Sequence, residues 1–394
     1  MNRDFATGGA MFLASLLLIA CAQSTAGSSK EEAATATSQR GPEPGATLSS
    51  AASGATGSAA PPSSSSESVP FVAPFGSPWD SRDSCLAHVN AQQRLPRAAK
   101  TARIASWNIR WFPDGAPGNN NRRARPTDLL WLACAIIWTD LDVLALQEIK
   151  GSDHAVEAVA ELLRHLETLS GDEWRVELDS CPARGRQHVG LLVRVPRVQM
   201  THQQNVGSLN PHGGDCTKQL RPGFGAYLKF PGGLDLHLVS VHFKSGPDHR
   251  SYDLRKRSLE AVPEACAELQ DRATDLDTLV IGDFNTMGCR KCRPTRTMPQ
   301  ELVEFELRAS QLSVPFRRLP SAPACSEYYR GHPGLLDLAW LTESTQEKVR
   351  QVQISGYCAE LGCEKVPRDK LPVAYTQLSD HCPLIVDLED TDRD

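Results

Sequence analysis

Polar residues able to bind a metal ion or a phosphate recur at the ends of apolar, strand-like runs, and this pattern most constrains the fold. The clearest case is Leu279–Asn285, in which Leu-Val-Ile is followed by Gly-Asp-Phe-Asn. Side chains two positions apart on an extended chain point the same way, so Asp283 and Asn285 face one spot. Such a pair suits a hard cation or a phosphate, but Asp and Asn also favour ordinary turns. This stretch alone leaves both interpretations open.

The same arrangement occurs along the rest of the chain. Further polar residues at, or just beyond, the ends of apolar runs are Asn108, Glu148, His242, Asp337, Asp380 and His381. If the runs are neighbouring strands whose ends share one edge, these side chains converge there. Taken singly, each has a structural alternative: a turn residue, a helix cap, a salt bridge or a packed histidine.

The order of elements predicts an α/β fold. Helical periodicity dominates the first part of the chain, consecutive short strands the middle, and a mixture the end. A helix from His249 to Arg272 should be kinked by Pro263. Two packed, mostly antiparallel sheets flanked by helices account for this order.

The N-terminal part has a different composition. Residues 1–20 contain a short apolar segment, which reads as a signal peptide, and they end in Leu-Ile-Ala before Cys21. This ending resembles a lipobox, so Cys21 is expected to carry a lipid anchor; an ordinary secretory signal is the alternative. Residues 21–70, rich in Ala, Ser, Gly and Pro, are expected to be a disordered tether, and 71–101 an irregular lead-in. The catalytic domain is expected to span 102–390.

Charge and cysteine content bound the function. The net charge is −5, which argues against nonspecific coating of nucleic acid but permits local basic loops. Cys21 is one of twelve cysteines, and an exported chain should pair several of the others. Cys358 could close a small loop with Cys363, and Cys289 or Cys292 could reach Cys325. The number of remaining cysteines is odd, so at least one thiol stays free, and we expect this to be Cys134, on an apolar helix face.

Together the motifs resemble one known family. The motifs are Trp107-Asn108, Gln147-Glu148-Ile149, His242-Phe243-Lys244-Ser245, Gly282-Asp283-Phe284-Asn285, Leu336-Asp337 and Ser379-Asp380-His381. Their order is similar to that of the endonuclease/exonuclease/phosphatase superfamily, over about Arg103 to Leu388. The resemblance implies a four-layered α/β sandwich that hydrolyses phosphate esters with a divalent metal ion and an activated water.

The resemblance also implies roles. Glu148 would be the principal Mg²⁺ ligand, with Asn108 and Asp380 near the metal; Mn²⁺ is an alternative, and Ca²⁺ could assist. Asp283 would orient or deprotonate the water. The expected phosphate contacts are Asn285, His381 and Arg221, with Asp337 fixing the tautomer of His381. His242 would act as general acid. His188 is a weaker match to a phosphate-contacting position.

The substrate is less constrained than the chemistry. Basic loops occur at Arg122–Arg125, Lys244–Arg250 and Arg290–Arg296, which favours a nuclease-type phosphodiesterase acting on DNA or RNA. A sphingomyelinase-like phospholipid hydrolase, an inositol-phosphate phosphatase and a non-catalytic surface binding protein remain alternatives.

We expect a monomer, exported and anchored to a membrane through Cys21. The residue after Cys21 is Ala22 rather than aspartate, which favours the outer membrane.

Overall fold

Fourteen strands and eight α-helices form in the part of the chain that is described. That part, in this computed structural model, comprises residues 75–116, 125–181, 187–213, 220–221 and 223–394, all in the unit Val69–Asp394. The strands are β1 Thr101–Phe112, β2 Val143–Lys150, β3 Trp174–Leu178, β4 Gln187–Arg194, β5 Gln199–Val206, β6 Gly223–Lys229, β7 Asp235–His242, β8 Thr278–Asp283, β9 Phe316–Arg318, β10 Glu327–Tyr329, β11 His332–Gly334, β12 Asp337–Thr342, β13 Val349–Ile354 and β14 Leu384–Glu389. The helices are α1 Arg82–Asn90, α2 Leu129–Trp138, α3 Asp153–Ser170, α4 His249–Glu260, α5 Val262–Gln270, α6 Met298–Ala309, α7 Tyr357–Glu360 and α8 Val373–Gln377.

The strands form two six-stranded mixed sheets. The first has the order β13-β14-β1-β2-β4-β3, and the second has the order β5-β6-β7-β8-β12-β9. β1 and β2 pair in parallel, as do β7 and β8, whereas the other pairings within these sheets are antiparallel. β10 and β11 form a separate hairpin. The predicted α/β fold with two mostly antiparallel sheets is therefore confirmed.

Alternating side chains on β8 show how the layers are held together. Leu279 and Ile281 belong to a core cluster that also includes the first sheet and helices α2 and α3. Val280, on the opposite face, packs in a second cluster with residues of α4, α5 and α6. Because successive strand residues point to opposite faces, β8 contributes to both clusters. The result is a helix–sheet–sheet–helix sandwich.

Two expectations about secondary structure were wrong or incomplete. The lead-in is not irregular throughout, because Arg82–Asn90 forms α1, capped by Ser81, and Trp79 is buried. The expected kink near Pro263 is a complete break: α4 ends at Glu260, and α5 begins at Val262 with the proline in its first turn. Proline at that position needs no backbone N–H bond, which is why a new helix begins there.

The expectation that several cysteines pair is confirmed, but the predicted pairings of Cys358 with Cys363 and of Cys289 or Cys292 with Cys325, and the free Cys134, were wrong. Cys134 is bonded to Cys85, because the unpredicted helix α1 lies against α2. The other pairs with both partners described are Cys289–Cys292, Cys325–Cys363 and Cys358–Cys382, and Cys181 is also disulfide-bonded. Among the described cysteines, the free thiol is the buried Cys266.

The membrane predictions concern the N-terminus. Residues 1–20, Cys21 and the tether lie outside the described residues. In the described part of the chain, no helix is both long and apolar enough to cross a bilayer.

Candidate active site

The carboxyl ends of the two parallel strand pairs form one edge of the sandwich, called here the site edge. Asn108 and Glu148 lie near the ends of β1 and β2, and His242 and Asp283 are the last residues of β7 and β8. His242 and Asp283 are register partners in the parallel pair. The sheets therefore bring together four residues that are far apart in sequence.

Antiparallel neighbours complete the site edge. Asp337 is the first residue of β12 and the register partner of Asp283 on β8. His381 precedes β14, which runs antiparallel to β1. A strand that runs antiparallel begins where its neighbour ends, so both residues enter at the same edge.

The backbone at the site edge adopts uncommon conformations. Glu148 and Asn285 have φ angles of 67° and 52°, in the left-handed region that non-glycine residues seldom occupy. Gly282 has no tolerance for a side chain, because a Cβ would lie 2.1 Å from the carbonyl oxygen of Val241. Strained residues of this kind cluster at functional sites.

Asp283 is the centre of the polar network. Its Oδ2 accepts a hydrogen bond from Asn108 Nδ2 at 3.0 Å and lies 3.4 Å from His242 Nε2. Its Oδ1 accepts from the backbone N–H of Asn285 at 2.9 Å, while Asn285 Nδ2 donates to Phe243 O at 3.2 Å. Burial is the main reason that the pKa of Asp283 is raised to about 7. The charge of His381 lowers this pKa, and the charge of Asp337 raises it. A carboxyl with such a pKa can exchange a proton near neutral pH.

Asp337 and His381 form a buried pair. His381 Nδ1 lies 2.8 Å from Asp337 Oδ2, so the carboxylate holds that nitrogen protonated and turns Nε2 outward. Burial lowers the pKa of His381, but Asp337, followed by Asp283 and Asp380, raises it well above its ordinary value. The imidazolium is therefore favoured. Asp337 Oδ1 is buried without a hydrogen-bond partner among the described residues.

Glu148 supplies the oxygen donor best suited to a metal ion. Its Oε2 accepts from the backbone N–H of Trp111 at 2.9 Å, and its Oε1 is 3.8 Å from His242 Nε2. Burial, followed by the Asp380 carboxylate, raises the pKa of Glu148. Crowded carboxylates of this kind fit a hard cation, since the positive charge would favour the ionised form. Glu148, with Asn108 and Asp380 close by, would hold it.

His242 lies beside Asp283, and the charge of Arg221 acts on both residues. Burial, followed by the charges of Arg221 and His381, lowers the pKa of His242 well below its ordinary value. A ring that is neutral at pH 7 does not fit the expected general acid, but it can donate a hydrogen bond. Arg221 Nη1 donates to Gln187 Oε1 at 3.1 Å. Arg221 Nε and His242 Nδ1 are buried without partners among the described residues.

His188 is held away from this network. Its Nδ1 lies 3.0 Å from Asp179 Oδ1, and the ring lines a groove beside α3. The weak match of His188 to a phosphate-contacting position has no support in these contacts.

Sequence reasoning missed Glu327. This residue begins β10, forms an isolated bridge with His381 and is 7% exposed. Burial raises the pKa of Glu327 to about 8, opposed by His381 and increased by Asp380. The strand is only three residues long and follows no apolar run, so periodicity gives no signal for it.

Comparisons with known proteins concern the fold. No protein-family model and no curated protein matches the chain. As the motifs predict, similar solved structures include an endonuclease/exonuclease/phosphatase from Bacteroides vulgatus (16% identity, TM-score 0.49, 73% of this chain and 98% of that chain). Others are the human Nocturnin catalytic domain with bound sulfate (16%, 0.47, 76% and 97%) and D. rerio TDP2 with a single-stranded DNA product (15%, 0.47, 73% and 98%). The likeness to these structures is one of fold.

Proposed function

We propose that the protein is a metal-dependent phosphoester hydrolase, and specifically a nuclease-type phosphodiesterase. The observation that supports this most is the position of Asp283. Its carboxylate lies between the amide of Asn108 and the imidazole of His242, one strand from the Asp337–His381 pair. A proton acceptor, a cation and hydrogen-bond donors on one edge are what attack of water on a phosphate requires.

Each residue then has a defined task. Asp283 accepts the proton of the attacking water, and His381, as imidazolium, stabilises negative charge on the phosphate. His242 donates a hydrogen bond as a neutral ring, while Arg221 contributes positive charge from the same side. A divalent cation held by Glu148 would neutralise charge that develops on the phosphate oxygens.

Exposed basic residues beside the site edge support a polyanionic substrate. Arg290 and Lys291 are exposed on the loop that the Cys289–Cys292 disulfide closes. Arg290 N donates to Pro247 O at 2.8 Å, which holds this loop against the segment that follows His242. In that segment, Lys244 is partly exposed, and Arg250 is exposed at the start of α4. This concentration of positive charge would attract a phosphate backbone.

An exposed aromatic residue is also placed for a nucleobase. Tyr329 is 57% exposed on β10, the strand on which Glu327 bridges to His381. The Arg330 guanidinium lies 5.1 Å from the centre of the Tyr329 ring. Aromatic rings and Arg planes stack on bases without sequence preference. We therefore favour DNA or RNA over a small phosphate ester.

A substrate panel tests the proposal. Duplex DNA, RNA, sphingomyelin and inositol phosphates are incubated with the protein in Mg²⁺ and in EDTA. We expect cleavage of DNA or RNA that needs the metal and is lost in Glu148→Ala. If wild type and Glu148→Ala hydrolyse a model phosphodiester equally well, the site assignment must be abandoned. If no substrate is cleaved, the non-catalytic binding protein is favoured.

The basic loop has its own test. Arg290→Ala combined with Lys291→Ala should raise KM for a polynucleotide and leave hydrolysis of a small phosphodiester unchanged. Lys348→Ala serves as the matched control, because Lys348 is exposed near the start of β13. Equal KM values for both variants would contradict a nucleic-acid path over this loop.

One observation favours a phospholipid substrate as a second candidate. A groove of about 310 Å³ begins at Ile149, directly after Glu148, and is lined by apolar residues that include Val156, Val159 and Val176. Val156 is 70% exposed in it. Such a groove would accept an acyl chain. Release of phosphocholine from sphingomyelin vesicles, reduced by Val156→Asp, would support this alternative over a nuclease.

The export and anchoring of the chain are also proposals. The apolar leader and Cys21 support a lipid anchor, and Ala22 after the cysteine favours the outer membrane. We also expect the protein to be a monomer. Cys21→Ser should abolish labelling with radioactive palmitate and release the protein from the membrane fraction. Unchanged labelling would exclude Cys21 as the anchor.

A further inference from the structure

A second group of carboxylates lies at the opposite end of β8 from Asp283. Asp275 and Asp277 precede β8, Glu347 lies between β12 and β13, and Asp392 and Asp394 follow β14. We call these five residues the acidic cluster. β8 separates Asp277 from Asp283 by six residues, which is about 20 Å at ~3.3 Å per residue. The acidic cluster is thus separate from the site edge.

Two groups of three carboxylates are each spaced as the ligands of one ion. In each of two triads, Asp275–Asp277–Asp394 and Glu347–Asp392–Asp394, one oxygen per residue lies within 4.8 Å of the others. Ca²⁺ binds oxygens at about 2.3–2.6 Å, so two ligands across the ion are separated by up to about 5 Å. The triads share Asp394, which joins them.

One buried oxygen independently indicates a missing ligand. Glu347 is 3% exposed, and its Oε1 accepts from the backbone N–H of Arg393 at 2.9 Å. Its Oε2 is buried and has no hydrogen-bond partner among the described residues. A buried carboxylate oxygen left unsatisfied is costly, so an unpaired one inside an oxygen-lined cluster points to a cation.

Basic side chains do not neutralise these carboxylates by direct ion pairs. Across the described ranges, no Lys, Arg or His forms an ion pair with a carboxylate of the acidic cluster. The nearby Lys229 is exposed and pairs with Asp235 at 2.9 Å. The Arg393 guanidinium turns away to Glu389 at 2.7 Å.

The burial of Asp275 and Asp277 beside other carboxylates is consistent with this. Burial, and then the shared contact with Glu347, raises the pKa of Asp277 to about 8. Burial, followed by Asp235, raises the pKa of Asp275 to about 7. A bound cation would reverse these shifts by favouring the ionised carboxylates.

We propose that the acidic cluster binds one Ca²⁺ ion that stabilises the fold. Its ligands come from the loop before β8, the β12–β13 loop and the segment after β14, so one ion fastens three parts of the chain. An all-oxygen set with several carboxylates suits Ca²⁺ better than Mg²⁺, which keeps most of its waters, or Zn²⁺, which prefers nitrogen and sulfur.

Thermal unfolding of the full chain tests the proposal. After EGTA treatment, CaCl₂ at ten times its Kd should raise Tm by about 3 °C, and MgCl₂ at the same concentration should not. Glu347→Gln and Asp394→Asn should lose this shift and also the Ca²⁺-binding isotherm. Asp394 is exposed, so its variant should fold even if Glu347→Gln does not.

Two controls separate the acidic cluster from other sites. Glu343→Gln removes an exposed carboxylate from the same loop as Glu347, and Glu148→Gln removes the proposed catalytic ligand. Both should keep the Ca²⁺ shift. The proposal is overturned if wild type shows no shift, if Mg²⁺ gives an equal one, if Asp394→Asn keeps it, or if Glu148→Gln loses it.

Discussion

The two ends of β8 collect carboxylates in different surroundings. At the site edge, Asp283 is hydrogen-bonded by Asn108 and faces His242, and Asp337 is paired with His381. In the acidic cluster, carboxylates face other carboxylates, without an ion pair to a basic side chain among the described residues. The first arrangement suits proton transfer and the binding of an anion, whereas the second suits the binding of a cation. Residue type alone does not define a site; the neighbouring donors do.

Asn substitutions at both ends of the strand test this difference most strongly. Asp283→Asn removes the proposed base, so phosphodiester hydrolysis should fall by about 10²- to 10⁴-fold. Asp277→Asn makes the same chemical change at the other end of the strand and should leave the rate unchanged. Initial rates in Mg²⁺ for both variants and wild type decide the matter. Equal losses would mean that the ends are not functionally distinct.

Two buried ion pairs extend the comparison to stability. Arg255 and Glu301 are both fully buried, and the distance from Arg255 Nε to Glu301 Oε1 is 2.7 Å. Arg255 also donates hydrogen bonds to three backbone carbonyls beside the site edge, those of Lys244, Gly246 and Gly288. Arg103 and Asp387 form the corresponding buried pair near the start of β1, also at 2.7 Å. Breaking a buried pair leaves an uncompensated charge.

Glu301→Gln and Asp387→Asn should each lower the free energy of unfolding by about 3–5 kcal/mol in denaturant titrations. Only Glu301→Gln should also reduce activity under conditions where both variants remain folded, because Arg255 positions loops of the site edge. If Asp387→Asn reduces specific activity as much, a general effect of instability explains both results.

Asp337→Asn should have a smaller effect on rate. Without the carboxylate, His381 loses its orientation, and hydrolysis should fall by about 10- to 100-fold. The Asp337 charge raises the pKa of His381, so its removal lowers that pKa. The decline of activity with rising pH should therefore begin at a lower pH in the variant. An unchanged pH profile would contradict the proposed role of the imidazolium.

The sequence predicts the site edge better than the acidic cluster for a physical reason. Asp283 and His242 follow apolar runs. Because strand periodicity depends only on neighbouring residues, their positions at strand ends can be recognised from the sequence. The acidic cluster joins loops distant in sequence, and Asp277, Glu347 and Asp394 carry no shared motif. Glu327 escaped prediction likewise, because its strand is very short.

The disulfides illustrate the same limit. We expected Cys134 to be free because it lies on an apolar helix face. That position does not reveal whether a second helix packs against it. Only the tertiary arrangement of α1 and α2 brings Cys85 into reach. Local patterns determine elements, whereas pairings between distant loops and helices depend on how those elements pack.

The last and smallest effect is the dependence of stability on pH at the acidic cluster. The pKa of Asp277 is about 8 in the folded protein, whereas an unfolded Asp has a pKa of about 4. Between these values the folded state binds more protons than the unfolded state, so this group's contribution to stability is present below about pH 4 and lost as pH rises to about 8.

Asp277→Asn removes the titration, so Tm should fall less in the variant than in wild type between about pH 4 and pH 8. Ca²⁺ should also reduce the fall in Tm in wild type, because a bound cation favours the ionised Asp277 that burial and Glu347 disfavour. Calorimetric scans in EGTA and in Ca²⁺ across this pH range measure both effects, with Asp271→Asn, an exposed acid outside the acidic cluster, as the control. If wild type and Asp277→Asn lose stability in parallel, repulsion in the acidic cluster is not what limits the fold at high pH.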